Sequence, residues 1–220
     1  MKWYAVYVIW YAVNVVLPLA FGFLLGSIPF GLLLTRAAGL GDIRSIGSGN
    51  IGATNVLRTG NKKVAAAVLL LDALKGYAPV LIASFFGPIA PAAAALGAVL
   101  GHMFTPWLAF KGGKGVATTL GVMWGLSWQL GALACALWLM FAFVFRYSSL
   151  AALLSMAAGG VASWWLLDPR AAAVVTVLVP LVFIRHHENI GRLLAGTESR
   201  IGRKAAATAG HNGGPPLGTV

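Results

Sequence analysis

Apolar and polar residues alternate along this chain in long blocks. Apolar runs cover Trp3–Thr35, Val64–Phe86, Gly87–Phe110, Val116–Phe145, Leu150–Leu167 and Ala171–Ile184. A helix needs roughly 20 apolar residues to cross a bilayer, so these runs predict membrane helices. Val116–Phe145 is too long for one comfortable pass. Gly121, Gly125, Ser127, Gln129 and Gly131 weaken its middle, which predicts a break and two passes. The expectation is an all-α integral membrane protein, a bundle of about seven transmembrane helices. Residues 1–204 form one polytopic domain, and residues 205–220, ending GHNGGPPLGTV, read as a disordered tail.

The first run follows Lys2 and superficially resembles a signal peptide. It is longer than the roughly 7–15 residues of a signal core, and it leads into a polar motif. Its later part reads as a retained membrane helix, and Trp3, Tyr4, Tyr7, Trp10 and Tyr11 as an interfacial aromatic belt.

Composition narrows the class. Apolar residues make up 59% and charged residues 10%, and the mean hydropathy is +0.84. Soluble domains carry about 25% charged residues, so a soluble domain and a disordered chain are both excluded. The net charge of +11 belongs to membrane loops rather than to a nucleic-acid surface. With seven spans, Arg36, Arg44, Arg58, Lys62, Lys63, Lys111, Lys114, Arg146, Arg185, Arg192, Arg200, Arg203 and Lys204 share one side, and Lys2 and Arg170 the other. The positive-inside rule makes the crowded side cytoplasmic, with the N-terminus outside and the C-terminus inside. The lone cysteine, Cys135, lies in an apolar run and reads as a small hydrophobe.

Three polar segments then meet at the cytoplasmic face: 41–63, 110–115 and 185–204. The first reads GDIRSIGSGNIGATNVLRTGNKK and contains a literal G-x-G-x-x-G from Gly47 to Gly52. A dinucleotide fold needs a preceding strand; here a membrane helix precedes. Glycines still let successive backbone N–H groups form an anion-binding nest. Ser48, Asn50, Thr54 and Asn55 add hydrogen-bonding groups, and Arg58 a planar fork suited to phosphate. The competing reading is a turn-rich connector. In the second segment, Lys111 and Lys114 flank Gly112 and Gly113. This is no Walker A loop, but it permits close approach of a phosphate; the alternative is a positive-inside anchor. In the third, His186, His187 and Glu188 do not form a metal-binding HExxH. Helical spacing places His186 with Asn189, and Arg185 with Asn189 and Arg192, on shared faces. The alternative is a basic amphipathic helix on anionic lipid.

Within the spans, Asp72 and Lys75 are spaced to pair on one helix face, a structural role. His102 is either functional or a neutral histidine bonded within the bundle.

Taken together, GSGNIGATNVLR, GHMFTPWLAFKGGKGVAT and RHHENIGRLLAGTE, with LDALKG in the second span, resemble the bacterial acyl-phosphate-dependent glycerol-3-phosphate acyltransferases, the PlsY family, over about Leu19–Glu198. The resemblance implies an inner-membrane enzyme. Its reaction is transfer of a fatty acyl group from acyl phosphate to the 1-hydroxyl of glycerol 3-phosphate, giving lysophosphatidic acid and phosphate in phospholipid biosynthesis. It implies no cofactor and no metal; the partners are the two substrates and membrane lipid, with no nucleic acid. Matched by position, Ser48, Asn50, Thr54, Asn55 and Arg58 line the phosphate pocket. Lys111 and Lys114, with Gly112 and Gly113 between them, hold the acyl phosphate, and Arg185 and Arg192 add counter-charge. His186, Asn189, Lys114 and Ser48 form the catalytic set. His186 is either the general base or a positioning group, the substrate phosphate then taking the proton. A transporter of an organic phosphate is the competing class, but it calls for polar groups at the midplane and internal repeats.

Overall fold

The structure, a computed structural model, describes residues 2–202. Every regular element among them is helical. Helix α1 (Lys2–Tyr11), a π-helical turn (Ala12–Val16) and α2 (Leu17–Gly26) run on as one rod; α3 (Phe30–Ala37) follows a break at Ser27–Pro29. The short α4 (Ala53–Val56) precedes α5 (Lys62–Ala83), α6 (Ala90–Met103), α7 (Val116–Leu126), α8 (Trp128–Phe145), α9 (Ser148–Leu166), α10 (Pro169–Arg185) and α11 (His187–Leu194).

Local chemistry sets the boundaries. Asn61 caps α5 by accepting from the Val64 N–H at 3.1 Å. Asp168 caps α10 by accepting from the Arg170 N–H at 3.0 Å, with Pro169 at the first helical position, where no N–H is needed. Ser127, extended at φ −160°, separates α7 from α8, so the run Val116–Phe145 divides there.

Trp3–Ala37, Lys62–Ala83, Trp128–Phe145 and Ser148–Leu166 are each long and apolar enough to cross a membrane, and α10 with α11 forms a fifth candidate bent by 60°. Helices α6 and α7 are shorter. At 1.5 Å per residue they measure about 21 and about 16 Å, against about 33 Å for α5. The run expected to span Gly87–Phe110 is therefore α-helical only over Ala90–Met103, and the chain turns back through Phe104–Gly115, with one 3-10 turn at Pro106–Leu108. The tail placed at 205–220, with Arg203 and Lys204, lies outside the described residues.

Small residues bring two pairs of helices into backbone contact. Gly22 and Gly26 of α2 face Ala94 and Ala98 of α6, and Gly97 and Gly101 of α6 face Leu19 and Phe23. Numbers rise together on both helices, so the pair is parallel. Gly121 of α7 faces Ala73 of α5, and Gly76 of α5 faces Thr118, a second parallel pair. A Cβ at any of these glycines would run into the opposing backbone. Such close approach is how helices gain dispersion energy where lipid removes the hydrophobic drive. A core that includes Val99, Met103, Val122, Met123, Leu130, Met156 and Leu178 joins α6 and α7 to α8, α9 and α10. A second cluster of Leu32, Ile43, Ile51, Val56, Ala65 and Val68 supports the loop between α3 and α5.

Candidate active site

The alternating helix directions place 27–61, 104–115, 146–147 and 186–202 at one end of the bundle. In the first segment, Asn55 is buried. Its Nδ2 donates to the carbonyls of Asn50 (2.8 Å), Ile46 (2.9 Å) and Ile43 (3.1 Å). Its Oδ1 accepts from the Ser48 N–H at 3.0 Å. The Asn50 Oδ1 accepts from the Gly52 N–H at 2.8 Å. Gly47 and Gly49 have φ of 56° and 69°, values that favour glycine. Asn55 was expected to line the phosphate pocket; its amide is instead consumed by the loop, which it clamps into shape. Asp42 pairs with Arg44 at 2.6 Å and Arg36 at 3.0 Å. The Arg44 guanidinium, hydrogen-bonded to it, holds the Asp42 carboxyl well below the usual range. Those two arginines are engaged, whereas Arg58 has no ion-pair partner among the described residues. Its Nη2 donates to Ser199 Oγ at 2.7 Å.

The second segment lies against the end of α6. The Gly112 N–H donates to the Met103 carbonyl at 3.1 Å, and the Gly113 N–H to the His102 carbonyl at 3.0 Å. Arg185 caps the other side, donating from Nη2 to the Gly112 carbonyl at 2.7 Å and from Nε to the Gly113 carbonyl at 3.2 Å. Its guanidinium lies over the Phe104 ring, 5.9 Å from the centroid. Lys111 is exposed, whereas Lys114 is half-buried and its Nζ donates to Asn189 Oδ1. Burial, then the nearby Arg192 cation, lowers the Lys114 pKa from its ordinary value.

The third segment bends by 60° between α10 and α11, with His186 at the corner. The expectation of one helix face shared by Arg185, Asn189 and Arg192 is therefore corrected. The bend sends Arg185 to the glycine carbonyls, while Asn189 and Arg192 turn to Glu198. The Glu198 Oε1 accepts from Asn189 Nδ2 at 2.7 Å and from Ser149 Oγ at 2.8 Å. Its Oε2 accepts from Arg192 Nε at 2.6 Å. Burial pushes the Glu198 carboxyl up, but the hydrogen bonds from Asn189, Ser149 and Arg192 outweigh it and hold the pKa below the ordinary value. Of the two residues expected to add counter-charge, Arg192 is paired with the Glu198 carboxylate, whereas Arg185 meets only neutral carbonyls and keeps its charge.

His186 is buried, and its Nδ1 lies 2.8 Å from the Val182 carbonyl. That contact puts the proton on Nδ1 and leaves the Nε2 lone pair as an acceptor. Burial, with the Lys114 charge adding to it, pushes the imidazole down to about 4.

Arg58–Ser199, Thr54 Oγ1 with Ser148 Oγ at 3.2 Å, Lys114–Asn189 and Arg185–Gly112 join the segments into one site. Ser48 is exposed at its rim. Glu198 is the organising residue that sequence reasoning passed over, although it closes the third motif. The chain has 5 acidic residues against 16 basic ones; an acid inside a basic motif is a signal that could have found it. Asp72 and Lys75 form the expected buried pair, at 2.8 Å.

The family described as "Glycerol-3-phosphate acyltransferase" matches residues 16–196. A glycerol-3-phosphate acyltransferase of Mesorhizobium japonicum is 63% identical over 191 residues, 87% of this chain and 98% of that protein. One of Brucella ovis is 58% identical over 186 residues, 84% of this chain and 92% of that protein. The solved structure of PlsY, an integral membrane glycerol 3-phosphate acyltransferase, in its glycerol 3-phosphate form has a TM-score of 0.81 and 39% identity, covering 85% of this chain and 95% of that one. Its lysophosphatidic acid form gives 0.79 and 38%, with the same coverage.

Proposed function

Because the chain belongs to the glycerol-3-phosphate acyltransferase family, we propose that it moves a fatty acyl group from acyl phosphate to the 1-hydroxyl of glycerol 3-phosphate. It is an integral membrane acyltransferase, and its product is lysophosphatidic acid. The observation that carries the mechanistic reading is the Lys114–Asn189–Glu198 chain beside Arg58. It sets a half-buried ammonium near a guanidinium that has no ion-pair partner among the described residues, an arrangement suited to compensating phosphate charge.

Acyl phosphate is already activated, so the hydroxyl attacks its carbonyl directly. The O1–acyl carbon bond forms, the acyl carbon–phosphate oxygen bond breaks, and inorganic phosphate leaves. Lys114 neutralises the leaving phosphate, with Lys111 at the mouth; Arg58, Ser48, Asn50 and Thr54 hold the acceptor's phosphate. Gly112 and Gly113 let the donor phosphate approach the backbone, while Arg185 and Arg192 steady the pocket from behind. Asn189 orients the reacting carbonyl. The His186 Nε2 accepts a hydrogen bond from the attacking hydroxyl. At about 4 it is a weak final base. A phosphate monoester dianion, whose second pKa is about 6, takes the proton.

Seven passes complete this reading, with the N-terminus outside and the C-terminus inside. Residues 1–204 form the membrane domain, and the site opens at the cytoplasmic face of the bacterial inner membrane. The basic residues of the motif end support that orientation.

The test is an assay of purified protein with acyl phosphate and labelled glycerol 3-phosphate. One lysophosphatidic acid and one phosphate per turnover are expected. Comparable turnover with acyl coenzyme A in place of acyl phosphate refutes the donor assignment.

A further inference from the structure

His102 has no part in that mechanism, yet it lies directly beneath it. The side chain is 4% exposed, near the end of α6. Its backbone carbonyl accepts from the Gly113 N–H at 3.0 Å, and its imidazole is packed against Gly113 itself. A Cβ at position 113 would meet the ring first at Nε2 and then at Cε1. Gly113 does not have a positive φ, so its backbone alone would accept alanine. What excludes a side chain there is the histidine ring.

Behind the ring stands a buried ion pair, out of hydrogen-bond reach of its Nδ1. Asp72 Oδ1 faces its Nδ1 at 3.8 Å. Asp72 is held by Lys75 at 2.8 Å, and Lys75 Nζ donates to the Ile28 carbonyl at 2.7 Å, at the break between α2 and α3. A line of buried groups thus runs from that break through α5 to the floor of the glycine segment. Lys114 follows Gly113 directly, so a shift at Gly113 moves the ammonium that meets Asn189.

We propose that His102 is a positioning residue for the acyl transfer: its imidazole is the floor on which Gly112–Gly113 rest, and it sets the height of Lys114 in the phosphate site. The role is steric and rests on the acyl-phosphate reading above. A floor and the group laid on it are complementary in size, so enlarging one is compensated by shrinking the other.

The experiment uses the full-length protein in detergent, as His102→Ala, Gly113→Ala and the double variant. Turnover and inhibition by inorganic phosphate, the product that shares the Lys114 site, are measured for each. Gly113→Ala is expected to lower kcat/KM about 100-fold, the scale of a 1 Å misplacement, and to weaken phosphate inhibition in parallel. His102→Ala is expected to lower it about 10-fold. The double variant is expected to recover about 10-fold over Gly113→Ala, with phosphate inhibition returning. General destabilisation would instead make the double variant worse. If His102→Ala is not obtained as monodisperse protein, His102→Asn takes its place, since it vacates the space at Gly113 and keeps a polar group toward Asp72. A monodisperse double variant no better than Gly113→Ala, beside active wild type, overturns the inference alone. Wild type without turnover on acyl phosphate overturns the donor reading, and the inference with it.

Discussion

The two ends of the bundle use polar residues differently. At the motif end, side chains 49 to 141 residues apart bond to one another: Ser149 to Glu198, Lys114 to Asn189, Thr54 to Ser148 and Arg58 to Ser199. At the other end, most polar contacts are local. Asp168 accepts from the Arg170 N–H two residues on, and Ser84 donates to the Leu81 carbonyl three residues back. One end uses polarity to stop helices; the other uses it to hold three loops in register. Polar substitutions should therefore disturb chemistry at the first end and only stability at the second.

The largest contrast is expected at Lys114. A charge-assisted hydrogen bond contributes roughly 1.5–3 kcal/mol, and this one strengthens as the phosphate leaves. Lys114→Ala should lower kcat/KM by about 10–150-fold, with kcat falling as well as KM rising. Arg170→Ala, an equal loss of charge at the opposite end, should stay within about two-fold. Comparable losses in both variants would break the distinction.

Acid should act next, and through the motif end. His186 titrates near 4 when folded, below its value of about 6.5 when unfolded. Between those values the unfolded chain binds more protons, so stability is full above about 6.5 and falls as the pH drops toward 4. From pH 6.5 to 5 the loss should reach about 2 kcal/mol. Thermal unfolding in detergent reads it, and His186→Gln, which does not titrate, should flatten the slope. The same shift removes His186 as the source of any activity limb near neutrality; such a limb should follow the substrate phosphate and persist in His186→Gln at reduced kcat.

The smallest effect is expected at the far end. Asp168→Ala removes the cap of α10 and should cost about 1 kcal/mol of stability while leaving kcat/KM unchanged. A drop in turnover larger than the drop in stability would mean that the two ends are coupled.

What the sequence made legible was whatever depends on near neighbours. The weak middle of Val116–Phe145 announced the break at Ser127, and Asp72 and Lys75 pair at their helical spacing. The three basic, small-residue segments named residues that the fold brings together at one end of the bundle. Long-range partnerships were hidden. Nothing near Asn55 indicates that its amide closes on the carbonyls of Ile43 and Ile46, and nothing near Arg185 that it reaches Gly112 and Gly113. No glycine or proline stands at the bend itself, Pro180 lying six residues before His186, so helical spacing carried the pattern straight through it and joined Arg185 to the wrong neighbours.

The two parallel glycine pairs have a consequence for how the protein is made. Helices adjacent in a hairpin are antiparallel, so a parallel partner must come from further along the chain. Helix α2 cannot meet α6 until α5 has been laid down between them, and α5 must in turn wait for α7. During synthesis the early helices therefore enter the membrane with their glycine faces open, to be closed only as later ones arrive. The polar end follows the same timetable. Thr54 and Arg58 are made early, but their partners Ser148 and Ser199 emerge much later. A ribosome still short of Glu198 carries a bundle whose membrane contacts are almost complete and whose chemistry has not begun.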